Sequence, residues 1–227
     1  MNLFLLFCVP ATAFLLVWHF FWSVKPPRPV FLYSSSVLWG LGALLLTFPL
    51  QPLTLFNGDF GVFFVGSWLN NGLIGPGLLL GAFYWRHRHE ENQSLVLLRL
   101  TLWFSSYFTF LSLSDFFTTR IDFGIPELFV IPLTWVLVLG IIPPLYLRFR
   151  LSRGLLQQLI WIGAGVGLGL GIAALGTLAF SPWAWVSWIL TLGALFGAWR
   201  YLDLFYGPLS KSSASDPVAP SSSAQKN

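Results

Sequence analysis

Residues 155–180 read LLQQLIWIGAGVGLGLGIAALGTLAF, 26 residues without one charged side chain. A helix needs roughly 20 mostly apolar residues to cross the hydrocarbon core of a bilayer, so this stretch is long enough to span. Strands are excluded on two grounds. Lipid offers no partner to an open strand edge, and a membrane barrel needs apolar and polar residues in alternation, which runs such as Leu3 to Val9 lack.

Outward from this stretch the same reading repeats. Spans are expected at about 3–24, 30–50, 60–85, 94–117, 128–147, 155–180 and 183–206. Little more than Ser181-Pro182 joins the last two, which makes them antiparallel neighbours. The fold class is all-α: a polytopic transmembrane bundle of seven spans over 1–206. Residues 207–227, rich in Ser, Pro and Ala, read as a disordered cytoplasmic tail. Composition agrees. Of 227 residues, 56% are hydrophobic and 9% charged, against roughly 25% charged in soluble domains. Met1-Asn2 supplies no positive n-region and the apolar run continues to Val24, so the first span reads as a retained helix, not a signal peptide.

Charge sets the orientation. Lys25 and Arg28 follow the first span, Arg86 and Arg88 the third, Arg148, Arg150 and Arg153 the fifth, and Lys211 and Lys226 lie in the tail. The alternate connections carry Arg120 alone. By the positive-inside rule the N-terminus is outside and the C-terminus cytoplasmic, an arrangement that requires an odd number of spans. The formal net charge of +4 is therefore a topology signal and not a nucleic-acid footprint. The expected partners are the bilayer of a plasma, inner or equivalent organelle membrane and other membrane proteins.

Polar residues inside the spans are the candidate sites. Span three contains Asn70-Asn71-Gly72 and then Gly75-Pro76-Gly77. Pro76 removes a backbone donor, and a helix broken near the midplane can hold an ion or polar ligand; the alternative is a kinked helix whose amides bond to neighbours. In span four, Thr101, Ser105, Ser112, Asp115 and Thr119 fall in one narrow sector at about 100° per residue, as a polar path or an interhelical seam. Asn70, Asn71, Ser105, Ser112 and Asp115 are the candidate ligand-binding residues, with the amides and hydroxyls expected to face each other across a midplane cavity. At the outer face Asp59, Asp115, Asp122 and Glu127 are candidate acid–base or cation-binding carboxylates. Glu127 after Pro126 also suits a helix N-terminus.

Glycines at 163, 167 and 171 recur every four residues in span six, as do Gly165 and Gly169, and Gly193 and Gly197 follow in span seven. Small residues at this spacing let backbones approach, so the two helices are expected to meet there. The inner run Arg86-His87-Arg88-His89-Glu90-Glu91 lacks HExxH spacing, and its arginines repel a cation. It reads as a basic loop at the lipid headgroups.

Several chemistries are excluded. Lys25, Lys211 and Lys226 lie outside the spans, so no intramembrane lysine can hold a retinal Schiff base. A bis-His haem needs two intramembrane His, and only His19 qualifies. No G-x-S-x-G, Walker or H-E-x-x-H motif occurs. The single Cys8 allows no intrachain disulfide. No cofactor and no metal are expected. The preferred function is non-catalytic: a small membrane subunit that binds or transports a small or lipidic molecule. The alternatives are an intramembrane enzyme acting on a lipid at the outer surface, and a scaffold subunit of a larger complex.

Overall fold

The computed structural model describes residues 3–21, 29–49, 59–118 and 125–214. The described residues are mostly helical, with no strand among them. The elements are α1 (Leu3–Phe21), α2 (Pro29–Thr47), α3 (Phe60–Ser67), a π-helical segment (Trp68–Ile74), α4 (Gly75–His87), α5 (Gln93–Thr118), α6 (Ile125–Leu151), α7 (Leu155–Ala179) and α8 (Ala184–Ala214). From Phe60 to His87 the α3, π and α4 pieces form one continuous helix.

Every expected span has its helix. Among the described residues, five stretches are long and apolar enough to cross a membrane: Pro29–Thr47, Phe60–His87, Gln93–Ser114, Leu133–Leu151 and Leu155–Ala179. In α1 the apolar stretch Phe7–His19 is shorter. Helix α8 continues to Ala214, beyond the expected end of span seven; the rest of the expected tail lies outside the described residues.

The core is built around α5, which packs against α1, α2 and α6. Its Trp103, Phe104, Tyr107, Phe108 and Leu111 are all buried. Trp103 stacks on Trp39 of α2 with ring centroids 4.7 Å apart, and Phe83 of α4 meets Trp103 edge-on at 5.1 Å. Rings in these offset and T-shaped arrangements interlock closely, which matters where lipid supplies no hydrophobic drive and packing must hold helices together. Helix α2 lies close on α5 because Gly40 has no side chain: a Cβ there would fall 2.6 Å from Ser106 Cβ.

Helices α7 and α8 form the antiparallel pair expected from their short link, but not through the expected glycines. A Cβ on Gly163, Gly167, Gly171, Gly193 or Gly197 would meet nothing within 4 Å. The buried Ser187 of α8 instead donates across the hairpin to the Leu175 carbonyl at 2.7 Å. A four-residue period defines a stripe on a helix, not the face of the bundle toward which that stripe is turned.

Candidate functional site

The break expected in span three is a π-helical segment and not an unwound one. The Gly75 amide donates to the Asn70 carbonyl five residues back. Pro76 has no N–H to return to Asn71 or Gly72, and in an α-helix its ring would strike the carbonyl four residues earlier, that of Gly72. The wider π turn relieves that clash while keeping the helix continuous, a device common at functional sites.

Two neighbours press on this segment at glycines. From α7, Gly169 meets Gly72 backbone to backbone: a Cβ on Gly169 would fall 2.6 Å from the Gly72 carbonyl oxygen. From α5, Tyr107 covers Gly75, where a Cβ would fall 2.0 Å from the phenolic oxygen. Asn70 and Asn71 are thereby buried, at 1% and 8% exposure. Both polar atoms of the Asn70 amide and the Asn71 Oδ1 have no hydrogen-bond partner. A buried polar atom left unpaired costs about 1–3 kcal/mol, so these amides are either a reservoir of strain or groups awaiting a partner.

On α5, Thr101 returns its hydroxyl to the Leu97 carbonyl at 2.9 Å. Ser105 and Ser112 are buried, and the Ser112 Oγ has no partner. The α5 residue pressed against Gly75, where the π-segment passes into α4, is Tyr107, which at about 100° per residue lies roughly 130° around the helix from the middle of the hydroxyl line. The residues brought together here are Asn70, Asn71, Gly72, Gly75, Tyr107 and Gly169. No hydrogen bond joins Asn70 or Ser112 to each other.

The outer carboxylates stand apart. Asp59 caps α3, accepting from the amides of Gly61 at 2.8 Å and Val62 at 3.1 Å. Asp115 lies near the end of α5 and Glu127 in the first turn of α6; of these two the structure describes only the backbone, and Asp122 lies outside the described residues. Among the described residues no three His, Cys, Asp or Glu side chains could hold a metal ion.

At the opposite end the basic loop is tied down. Arg99 pairs with Glu90 at 2.7 Å. The Arg150 guanidinium, from the end of α6, donates to the backbone carbonyls of Arg88, at 3.1 Å, and of Glu90. The loop is thus a fixed cap linking α4, α5 and α6.

Beside the π-segment lies a cavity of about 370 Å³ between α4, α6 and α7. Its walls are almost wholly apolar: Gly72, Leu73, Pro76, Gly77, Leu80 and Gly81 from the third span, Ile142, Leu145 and Phe149 from α6, and Ile162, Gly165 and Val166 from α7. Three lining residues carry a polar atom, namely Tyr84, Tyr146 and Trp161. Tyr146 is only 5% exposed and its hydroxyl has no hydrogen-bond partner. Sequence reasoning missed this cavity. A lone Tyr near a helix end reads as an interfacial aromatic, and no periodicity reveals that it closes a void. The one available signal was the small-residue run Gly72 to Gly81, read only as a break. A second cleft of about 710 Å³ lies between α2 and α4 and is lined by Trp39, Gly42, Leu46 and Leu78 among others. Gly77 and Gly81 border both spaces, so α4 is a thin partition between them.

The chain matches no protein-family model, no curated protein and no solved structure.

Proposed function

We propose that this chain is a multi-pass membrane subunit that binds or carries a small or lipidic molecule in the cavity between α4, α6 and α7. The observation that carries the reading is an almost wholly apolar space of about 370 Å³ enclosed by three spans, in whose lining only Tyr84, Tyr146 and Trp161 carry a polar side-chain atom. Ligand sites are concave and apolar with a few placed polar groups, and commonly hold about 300–1,000 Å³. Gly72, which follows the unpaired amides of Asn70 and Asn71, lines the midplane end of the cavity; the two amides are buried outside its lining.

The reading includes seven spans with an outer N-terminus and a cytoplasmic C-terminus. It is supported by the alternation of basic connections and by the helix found at each expected span.

The test is occupancy. Gly165 lines the cavity and a Cβ there would meet nothing within 4 Å, so Gly165→Leu adds bulk at the cavity wall from an unobstructed Cβ. A photoactivatable diazirine fatty acid should label peptides covering 142–149 and 161–166 in the wild type and fail to label them in that variant. Equal labelling of the two proteins refutes the site. Reporter fusions after Asn227 and between Arg86 and Glu91 should both read cytoplasmic; an external reading at either position refutes the orientation.

A further inference from the structure

The cleft between α2 and α4 ends on a cation. Its space of about 710 Å³ is lined by Trp39 and Gly42 from α2 and by Gly77, Leu78, Gly81 and Ala82 from α4, among others, and by no Asp or Glu. A Cβ on Gly42, Gly77 or Gly81 would meet nothing within 4 Å, so the space before these residues is open. Leu45, Leu46 and Leu78, which also line it, are exposed, so the cleft faces the bilayer. On α4, Leu78, Ala82 and Arg86 are four residues apart and share a stripe of the helix. Arg86 therefore continues the cleft wall one turn nearer the basic end. Its guanidinium lies over the Trp39 ring, 6.0 Å from the centroid. One face of that ring stacks on the buried Trp103 at 4.7 Å, which leaves the cation the other.

Arg86 is exposed and keeps its donors. A contact with a ring face uses the charge and no hydrogen-bond acceptor, and among the described residues nothing accepts from this guanidinium. Its neighbours are engaged: Arg99 pairs with Glu90, and Arg150 donates to the carbonyls of Arg88 and Glu90. The folded cap gathers Arg86, Arg88, Arg99 and Arg150 against Glu90 and Glu91, so it is net positive. Arg86 to Gly77 is nine residues of α4, about 14 Å at roughly 1.5 Å each. One leaflet of a bilayer with a hydrocarbon core of about 30 Å is roughly 15 Å deep. The cleft with Arg86 at its foot is thus one leaflet deep, the reach of an acyl chain and half of what a crossing helix would need.

We propose that the cleft between α2 and α4 is a second site, which holds an acyl chain of an anionic phospholipid whose phosphate pairs with Arg86. It is separate from the cavity between α4, α6 and α7 and does not depend on that reading. A guanidinium presents its N–H donors in a fork that matches two phosphate oxygens, and the Trp39 ring holds this one in place. The chain fills the open space before Gly42, Gly77 and Gly81, whose walls would otherwise lose their packing contacts. A zwitterionic headgroup brings its own cation to the phosphate and gains less from Arg86. A soluble anion would satisfy Arg86 and leave the cleft unfilled.

The experiment is photolabelling of the purified full chain in nonionic detergent with a phosphatidylglycerol that carries a diazirine on one acyl chain. Peptides covering 39–46 should be labelled in the wild type. Dioleoyl phosphatidylglycerol should displace the probe at a concentration about tenfold below dioleoyl phosphatidylcholine, the scale of one charge-assisted hydrogen bond. Arg86→Gln should bring the two competitors to within about twofold while labelling persists. Gly42 lines this cleft and not the cavity between α4, α6 and α7, so Gly42→Leu should abolish labelling of 39–46 and Gly165→Leu should leave it unchanged. Equal displacement by the two lipids in the wild type, or an undiminished preference in Arg86→Gln, overturns the headgroup assignment. Undiminished labelling in Gly42→Leu overturns the cleft, and lost labelling in Gly165→Leu overturns its separation from the cavity. Displacement by inorganic phosphate as effective as by phosphatidylglycerol overturns the lipid in favour of a free anion. An unlabelled wild type overturns the site outright, in favour of a second copy of the chain where the protein is dimeric.

Discussion

Two glycines of α7, two positions apart, should respond to the same substitution with opposite sign. A Cβ on Gly167 meets nothing within 4 Å, whereas a Cβ on Gly169 falls 2.6 Å from the Gly72 carbonyl oxygen and 3.0 Å from its carbonyl carbon. In a helix interior Gly→Ala gains about 0.5–1 kcal/mol of conformational entropy, and both sites share that gain. At Gly169 the added methyl also forces two backbones apart, and overpacking of this kind costs about 1–3 kcal/mol. Propensity cancels between the variants, leaving a difference of roughly 2 kcal/mol with Gly169→Ala the less stable. For a chain of this size 1 kcal/mol moves the melting temperature by about 2–4 °C, so the two variants should melt roughly 4–8 °C apart in detergent. Because Gly72 faces Gly169, the Gly72→Ala/Gly169→Ala double variant should also depart from additivity. Equal melting temperatures for Gly167→Ala and Gly169→Ala would show that the π-segment and α7 are not in backbone contact.

Replacing Asn70 with Leu removes a buried amide that has no partner, so thermal stability should rise, by about 1–3 kcal/mol; a fall in melting temperature would mean the amide is satisfied in solution. Phe83 is fully buried against Trp103, Tyr146 and His87, and Phe83→Ala, which adds a cavity term to the lost contacts of the ring, should cost about 3–5 kcal/mol. An unshifted melt for that variant would show the aromatic cluster to be loosely packed. Ser187→Ala deletes the hydroxyl that bonds the Leu175 carbonyl and should cost about 1 kcal/mol, read as a lower melting temperature, whereas no change would place the α7–α8 seam elsewhere.

The sequence alone determined that this chain is helical and where its helices run. That follows from a one-dimensional constraint: in lipid every backbone group must be paired within its own segment, so a long apolar run is its own evidence of a helix. It also marked the irregular point of the third span, because Pro76 lacks a donor wherever it sits. The tertiary structure decided which faces meet. The repeating glycines at 163, 167 and 171 look outward, while Gly169, between two of them, takes the close contact with Gly72. The α5 residue that covers Gly75, where the π-segment passes into α4, is Tyr107 and not a member of the hydroxyl line. The cavity at Tyr146 is assembled from three spans separated by tens of residues. Nothing local marks these features, because in a helix that is apolar all round the periodicity that tells inside from outside in a soluble protein is absent. Only the packing of all the helices together fixes each one's rotation, and with it which polar groups are buried and which voids remain.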